Sequence, residues 1–159
     1  MRNRLRASAA IAVLLLPMAI AQAAPPEPAS GEFIVEHLMP TSVEPIGAIV
    51  FIELTAVFRL EGTFEGAFVA DFQIIHLGPL EEPARQIFFA EGTFEGEVDG
   101  ASGSFDFIFV GDIDAEQRAE GELVVLRGTG ELADLSGRIT LAGLAGVAGA
   151  YEGKIHFAP

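Results

Sequence analysis

The sequence predicts an all-β protein, an antiparallel eight-stranded closed β-barrel, and three observations carry that expectation. From Glu32 onward apolar and polar residues alternate with period two, and helical periodicity is absent. The 18 glycines punctuate runs of β-branched and aromatic residues, as turns, bulges and barrel corners require. About eight such runs follow one another, a number at which a barrel closes either around its own side chains or around one small ligand. With no cysteine in the chain, stability has to come from packing and from a sheet that leaves few open edges.

The chain begins with a different kind of segment. Arg2, Arg4 and Arg6 form a basic start, Ala9 to Ile20 is a short apolar run, and Ala21-Gln22-Ala23 is the small-x-small pattern that a signal peptidase accepts. The run is too short for a stop-transfer helix. Residues 1–23 are therefore expected to be a secretory signal peptide cleaved after Ala23, residues 24–30 a flexible Pro- and Ala-rich lead-in, and residues 31–159 a single β-barrel domain. The mature protein is expected in the periplasm or outside the cell. Without a cysteine there is no lipoprotein anchor, and no stable membrane anchor is expected. Cleavage removes three of the nine basic residues and none of the 23 acidic ones, leaving a net charge of −17. That balance argues against nucleic acid, whose phosphates need clustered Lys and Arg.

Strands are expected over 32–37, 49–60, 64–76, 86–95, 104–111, 118–126, 137–144 and 151–157. Residues i and i+2 share a face, which assigns the interior. Val50, Ile52, Leu54, Ala56, Phe58 and Leu60 oppose Glu53, Thr55, Arg59 and Glu61, and Phe64, Phe68, Phe72 and Ile74 oppose Glu65, Asp71 and Gln73. Phe88 and Phe94, then Phe105, Phe107 and Phe109, then Leu123, Val125, Ile139, Leu141, Tyr151, Ile155 and Phe157 continue the inward set. Glu61-Gly62-Thr63-Phe64-Glu65-Gly66 recurs identically as Glu91-Gly92-Thr93-Phe94-Glu95-Gly96. The repeat suggests two strands in the same local geometry, with Phe64 and Phe94 equivalent.

No motif carries a catalytic signature. Gly128-Thr129-Gly130-Glu131-Leu132-Ala133 matches the letters of a dinucleotide fingerprint, but no βαβ unit surrounds it and a tight structural connection is expected instead. Gly100-Ala101-Ser102-Gly103-Ser104 approaches a nucleophile elbow but lacks the closing glycine, so it reads as a hairpin turn. Asp112-Ile113-Asp114 with Glu116 lacks the glycine and bidentate glutamate of a calcium loop and reads as an acidic hairpin. His37, His76 and His156 sit on separate strands without metal-ligand spacing; His156 shares an outward face with Glu152 and Lys154, whereas His76 points inward at a strand end. Tyr151, the only tyrosine, begins the last strand on the inward face, where a phenol at the rim orients a ligand or simply packs its ring with the hydroxyl in solvent. No catalytic residue, metal ligand or cofactor is assigned.

Ser102-Gly103-Ser104-Phe105, then Gly128-Thr129-Gly130-Glu131-Leu132 with Leu135-Ser136-Gly137, then Tyr151-Glu152-Gly153-Lys154-Ile155-His156-Phe157 occur in order. Together they resemble an uncharacterised bacterial family of domains of unknown function with an allene oxide cyclase-like, dirigent-like barrel. The resemblance implies a calycin-type eight-stranded barrel with a mostly apolar cavity, of the kind characterised relatives use to hold a reactive apolar intermediate. It carries over no polar pocket residue.

The expected function is binding of a small apolar molecule in a lumen lined by Phe64, Phe68, Phe72, Phe94, Phe105, Phe107 and Phe109, with Tyr151 and His76 as polar candidates. Gly66, Ala70, Ala90 and Gly92 among the rings are expected to leave space. The alternatives are a cofactor-free cyclase or isomerase of the allene oxide cyclase type, and a filled barrel acting through its surface. On the outward face Phe51, Ile87, Phe89, Ile108 and Val110 are apolar beside Glu53, Glu91 and Asp112, which suggests a homo-oligomer interface if their strands adjoin.

Overall fold

The computed structural model describes residues 25–158, so the expected signal peptide lies outside the described residues. Eight strands run β1 (Glu27–Ile46), β2 (Ile49–Gly62), β3 (Phe64–His76), β4 (Gln86–Val98), β5 (Ala101–Ile113), β6 (Arg118–Gly130), β7 (Leu135–Leu144) and β8 (Ala148–Phe157). Each pairs antiparallel with its successor, and β8 returns to β1 to close the ring. The period-two pattern explains the closure. Every strand offers one apolar face, and a ring lets all eight bury that face together while leaving few edges unpaired.

β1 departs most from expectation. Residues 27–30, read as a flexible lead-in, are strand: Glu27, Pro28, Ala29 and Ser30 pair with Ile155, Lys154, Gly153 and Glu152. Ala29 points inward and is 2% exposed. Backbone pairing against β8 orders this stretch, a gain that a Pro- and Ala-rich composition does not reveal. β1 also continues nine residues beyond His37, to Ile46. Its pairing with β8 ends at Ile34, after which the Val35 N–H donates to the Val147 carbonyl at 2.8 Å. From His37 on, β1 pairs with β2 alone, with bulges after Val35 and Pro40. Pro40 and Pro45 lie on this edge, where a missing N–H is tolerated and discourages further strand pairing.

The barrel has two unlike ends. At the closed end the connections are short: Thr63 between β2 and β3, Asp99-Gly100 between β4 and β5, and residues 131–134 between β6 and β7. Asp99 and Gly100 both have positive φ, 49° and 84°, as a two-residue type I′ turn demands. The turn is therefore Asp99-Gly100 rather than the expected stretch from Gly100 to Ser104, most of which is strand. Gly66, Gly96, Gly103 and Gly130 stand in one cross-strand row over β3 to β6. A Cβ on Gly66 would lie 2.3 Å from the Glu95 carbonyl oxygen, so the strands here approach more closely than a side chain allows.

The identical hexapeptides are not equivalent in structure. The first turns the β2–β3 corner at Thr63, whereas the second lies within β4. They share only the inward placement of Phe64 and Phe94, and the pairing of Gly66 with Gly96. Gly128-Thr129-Gly130 ends β6, and the following turn drops Leu132 into the barrel as a fully buried plug. Glu131 holds that turn to Ser102 twice: its N–H donates to the Ser102 carbonyl at 3.0 Å, and its carboxylate accepts from the Ser102 N–H at 2.8 Å.

Candidate functional site

The inward phenylalanines divide between the two ends. Phe94 stacks on Phe105 with centroids 4.8 Å apart, Phe64 meets Phe94 edge-on at 5.7 Å, and Phe68 meets Phe107 at 5.0 Å. With Leu132, Leu135 and Val98 they fill the closed half. The small residues expected to leave space do not leave it there: a Cβ on Gly92 would meet the Phe107 ring at 2.5 Å, and Gly66 faces Gly96. Phe64, Phe68, Phe94, Phe105 and Phe107 thus pack a solid half instead of lining a lumen.

At the opposite end the interior is not filled. A half-open cavity of about 210 Å³ lies beneath the turns at 114–117 and 145–147. Phe33, Phe58, Phe72, Phe88 and Phe109 form its aromatic wall, with Leu54, Ile74, Ile113 and Leu141 between them. Ala56, Ala119, Gly143, Ala145 and Gly146 supply the missing volume. Of the nine expected lumen residues, Phe72 and Phe109 are brought together here. No side chain of the lining is charged; its only polar side chains are the amides of Gln86 and Gln117. Val35 and Leu38 border the cavity where β1 has parted from β8, so the mouth lies beside the unpaired edge of the barrel.

The two polar candidates are engaged elsewhere. Tyr151 is 2% exposed at the closed end, not at a rim. Its hydroxyl accepts from the Phe64 N–H at 2.9 Å and donates to the Glu61 carbonyl at 3.1 Å, pinning β8 across the β2–β3 corner. Burial raises its pKa above the ordinary 10.0, opposed by the hydrogen bond from Phe64 and reinforced by the charges of Asp99 and Glu65. His76 ends β3 at the cavity end, 4% exposed, with Nε2 3.0 Å from the Pro79 carbonyl oxygen. It braces the segment at 77–85 and does not line the cavity. His156 is half-buried rather than solvated, its Nδ1 enclosed without a partner.

Sequence reasoning missed Phe33, Gln86 and Gln117. Phe33 was signalled by the alternation Ala29, Gly31, Phe33, Val35, once β1 is taken back to Glu27. The glutamines carry no local signal, because β4 pairing places one and a turn places the other.

On the outer face the expected apolar residues do adjoin. Phe51, Ile75 and Ile87 form one cross-strand row, Phe89 pairs with Val110 in the next, and Ile108 pairs with Val124 beyond. Phe51, Ile87, Phe89 and Val110 are exposed, and Ile108 is half-buried.

Fold and site define an eight-stranded antiparallel barrel, solid at one end and cupped at the other. Residues 29–154 match the model of a family described as protein of unknown function (DUF3224), and the chain belongs to that family. Among solved structures it is similar to a protein of unknown function from the same family from Shewanella oneidensis MR-1. That likeness has 20% identity and a TM-score of 0.69, and covers 85% of this chain and 100% of the other. It shows the fold. No curated protein matches the sequence.

Proposed function

We propose that this protein binds a small apolar molecule in the cup at the open end of its barrel, after export and removal of residues 1–23. One observation carries the reading: the closed half is packed solid, yet about 210 Å³ beside it stays unfilled and is walled by five phenylalanines. An enclosed apolar void of this order takes up small aromatic molecules, and the cup offers a ligand the same apolar walls on every side but its mouth. The lining contains no titratable group, which gives the alternative, a cofactor-free cyclase or isomerase of the allene oxide cyclase type, no side chain to move a proton.

The test is fluorescence titration with 2-naphthol, excited beyond the absorption of Tyr151, since the chain has no tryptophan, and of the indole introduced in the variant below. Saturable binding with a Kd of about 10 µM is expected, within the ligand-efficiency ceiling for so small a molecule. Ala119→Trp, which fills the cup from its wall, is expected to weaken it more than tenfold. Absence of saturable binding by the folded wild type would leave the outer surface as the working part.

A further inference from the structure

We propose that the cup selects uncharged ligands of about ten non-hydrogen atoms that carry one hydrogen-bonding group, read at the mouth by the amides of Gln86 and Gln117. The inference rests on the cup being a binding site and adds the ligand class. Size comes from volume. A void of about 150 Å³ accommodates benzene, so about 210 Å³ with an open mouth accommodates one ring with short substituents or a fused pair of rings, and cannot enclose a long acyl chain.

Polarity comes from position. Gln86 opens β4 and Gln117 closes the β5–β6 turn, and both border the one cavity. Among the described residues neither amide is held in a side-chain hydrogen bond, so donors and an acceptor remain for a ligand. Gln117 also has φ of +65°, a left-handed conformation that glycine or asparagine adopts more readily. Its backbone is fastened there, the N–H donating to the Asp114 carbonyl and the carbonyl accepting from the Ala145 N–H at 2.9 Å. That backbone anchoring fixes where the Gln117 side chain starts, at the border of the cup.

Charge selectivity follows from the surroundings. A carboxylate or ammonium entering the cup meets no counter-charge in the lining and loses hydration without return. The turns at this end carry Glu81, Glu82, Asp114 and Glu116 against Arg85 and Arg118, and Arg85 is already paired with Asp112. An anion is repelled before it arrives.

The test displaces 2-naphthol with four molecules sharing one body: p-cymene, 4-isopropylbenzyl alcohol, 4-isopropylbenzoate and 4-isopropylbenzylammonium. The alcohol is expected to bind about fivefold more tightly than p-cymene, and each ion at least tenfold more weakly than the alcohol. In Gln86→Leu, and in Gln117→Gly, which suits the positive φ, the alcohol's advantage should fall to within twofold while p-cymene binding is kept. If 2-naphthol binds but alcohol and hydrocarbon compete equally, or the carboxylate competes best, the head-group inference fails and the cup reading stands. If 2-naphthol itself does not bind, both fail.

Discussion

Tyr151→Phe separates an anchor from a ligand-orienting residue. The substitution keeps the ring against Phe64, 5.4 Å away between centroids, and creates no void. It removes the acceptor of the buried Phe64 N–H and the donor to Glu61. An unsatisfied buried N–H costs about 1–3 kcal/mol, so a loss of about 2 kcal/mol is expected. For a domain of this size that is a fall in Tm of roughly 6–12 °C. The assay is thermal unfolding followed by circular dichroism, with 2-naphthol binding measured on the same preparations. Binding should stay within twofold, because Tyr151 does not line the cup and its hydroxyl reaches away from it to the β2–β3 corner. The pH dependence has a defined sign. Burial raises the folded-state pKa above the ordinary 10.0, so the contribution of Tyr151 is fully present below pH 10 and is lost as pH rises through the folded value. The variant should lack that alkaline loss. A variant melting within about 2 °C of wild type, or one that loses 2-naphthol binding, would refute the assignment of Tyr151 as a structural pin.

Three further outcomes are expected. Phe68→Ala, in the solid half, should cost about 4 kcal/mol by guanidinium melts, as truncation of a fully enclosed ring does; a cost below about 1 kcal/mol would mean that the closed half is not packed as described. A second copy is proposed to cover the outward stripe around Phe51, Ile87, Phe89, Ile108 and Val110, so light scattering should give an oligomer at micromolar concentration and Phe89→Arg a monomer; a wild-type monomer would overturn the proposal. Amino-terminal sequencing of exported protein should find Ala24 first, leaving only Ala24, Pro25 and Pro26 ahead of β1, and uncleaved protein in the cytoplasm would count against export.

Strand number and inward face were legible because they follow from local alternation, which each strand carries for itself. Phe68 and Phe72 read identically in that pattern, four residues apart on one face of β3. Yet the first is enclosed by Phe58 and Phe107, and the second borders open space. The difference depends on what the other strands bring to each level of the barrel, chiefly Leu132 from the β6–β7 turn below and Ala56, Ala119 and Gly143 above. No single strand contains that information. The extent of β1 was hidden for the opposite reason: Pro28, Pro40 and Pro45 argue locally against a strand, and edge positions and bulges are where prolines are tolerated. Asp99-Gly100 was readable, since Asp-Gly between alternating runs is a strong hairpin signal.

The division into a solid and a cupped half gives the cup a measurable stability cost. An enclosed apolar void costs about 24 cal/mol per Å³, so 210 Å³ would cost up to about 5 kcal/mol, reduced here because the cup opens to solvent. That cost is comparable to the whole stability of a marginal domain. The packed rings of the closed end, the Leu132 plug and the Tyr151 pin lie apart from the cup and offset it, so the open end can remain unfilled while the fold persists. Nothing in the β-sheet itself requires the void, because Ala56 and Ala119 sit on regular strand positions and both face it. Filling it should therefore stabilise the protein and remove its binding in one step. Ala119→Trp is expected to melt above the unliganded wild type, and ligand-saturated wild type to recover part of the difference through linkage. A blocked variant less stable than the empty wild type would mean that the cup's walls are set by strain rather than by a retained binding volume.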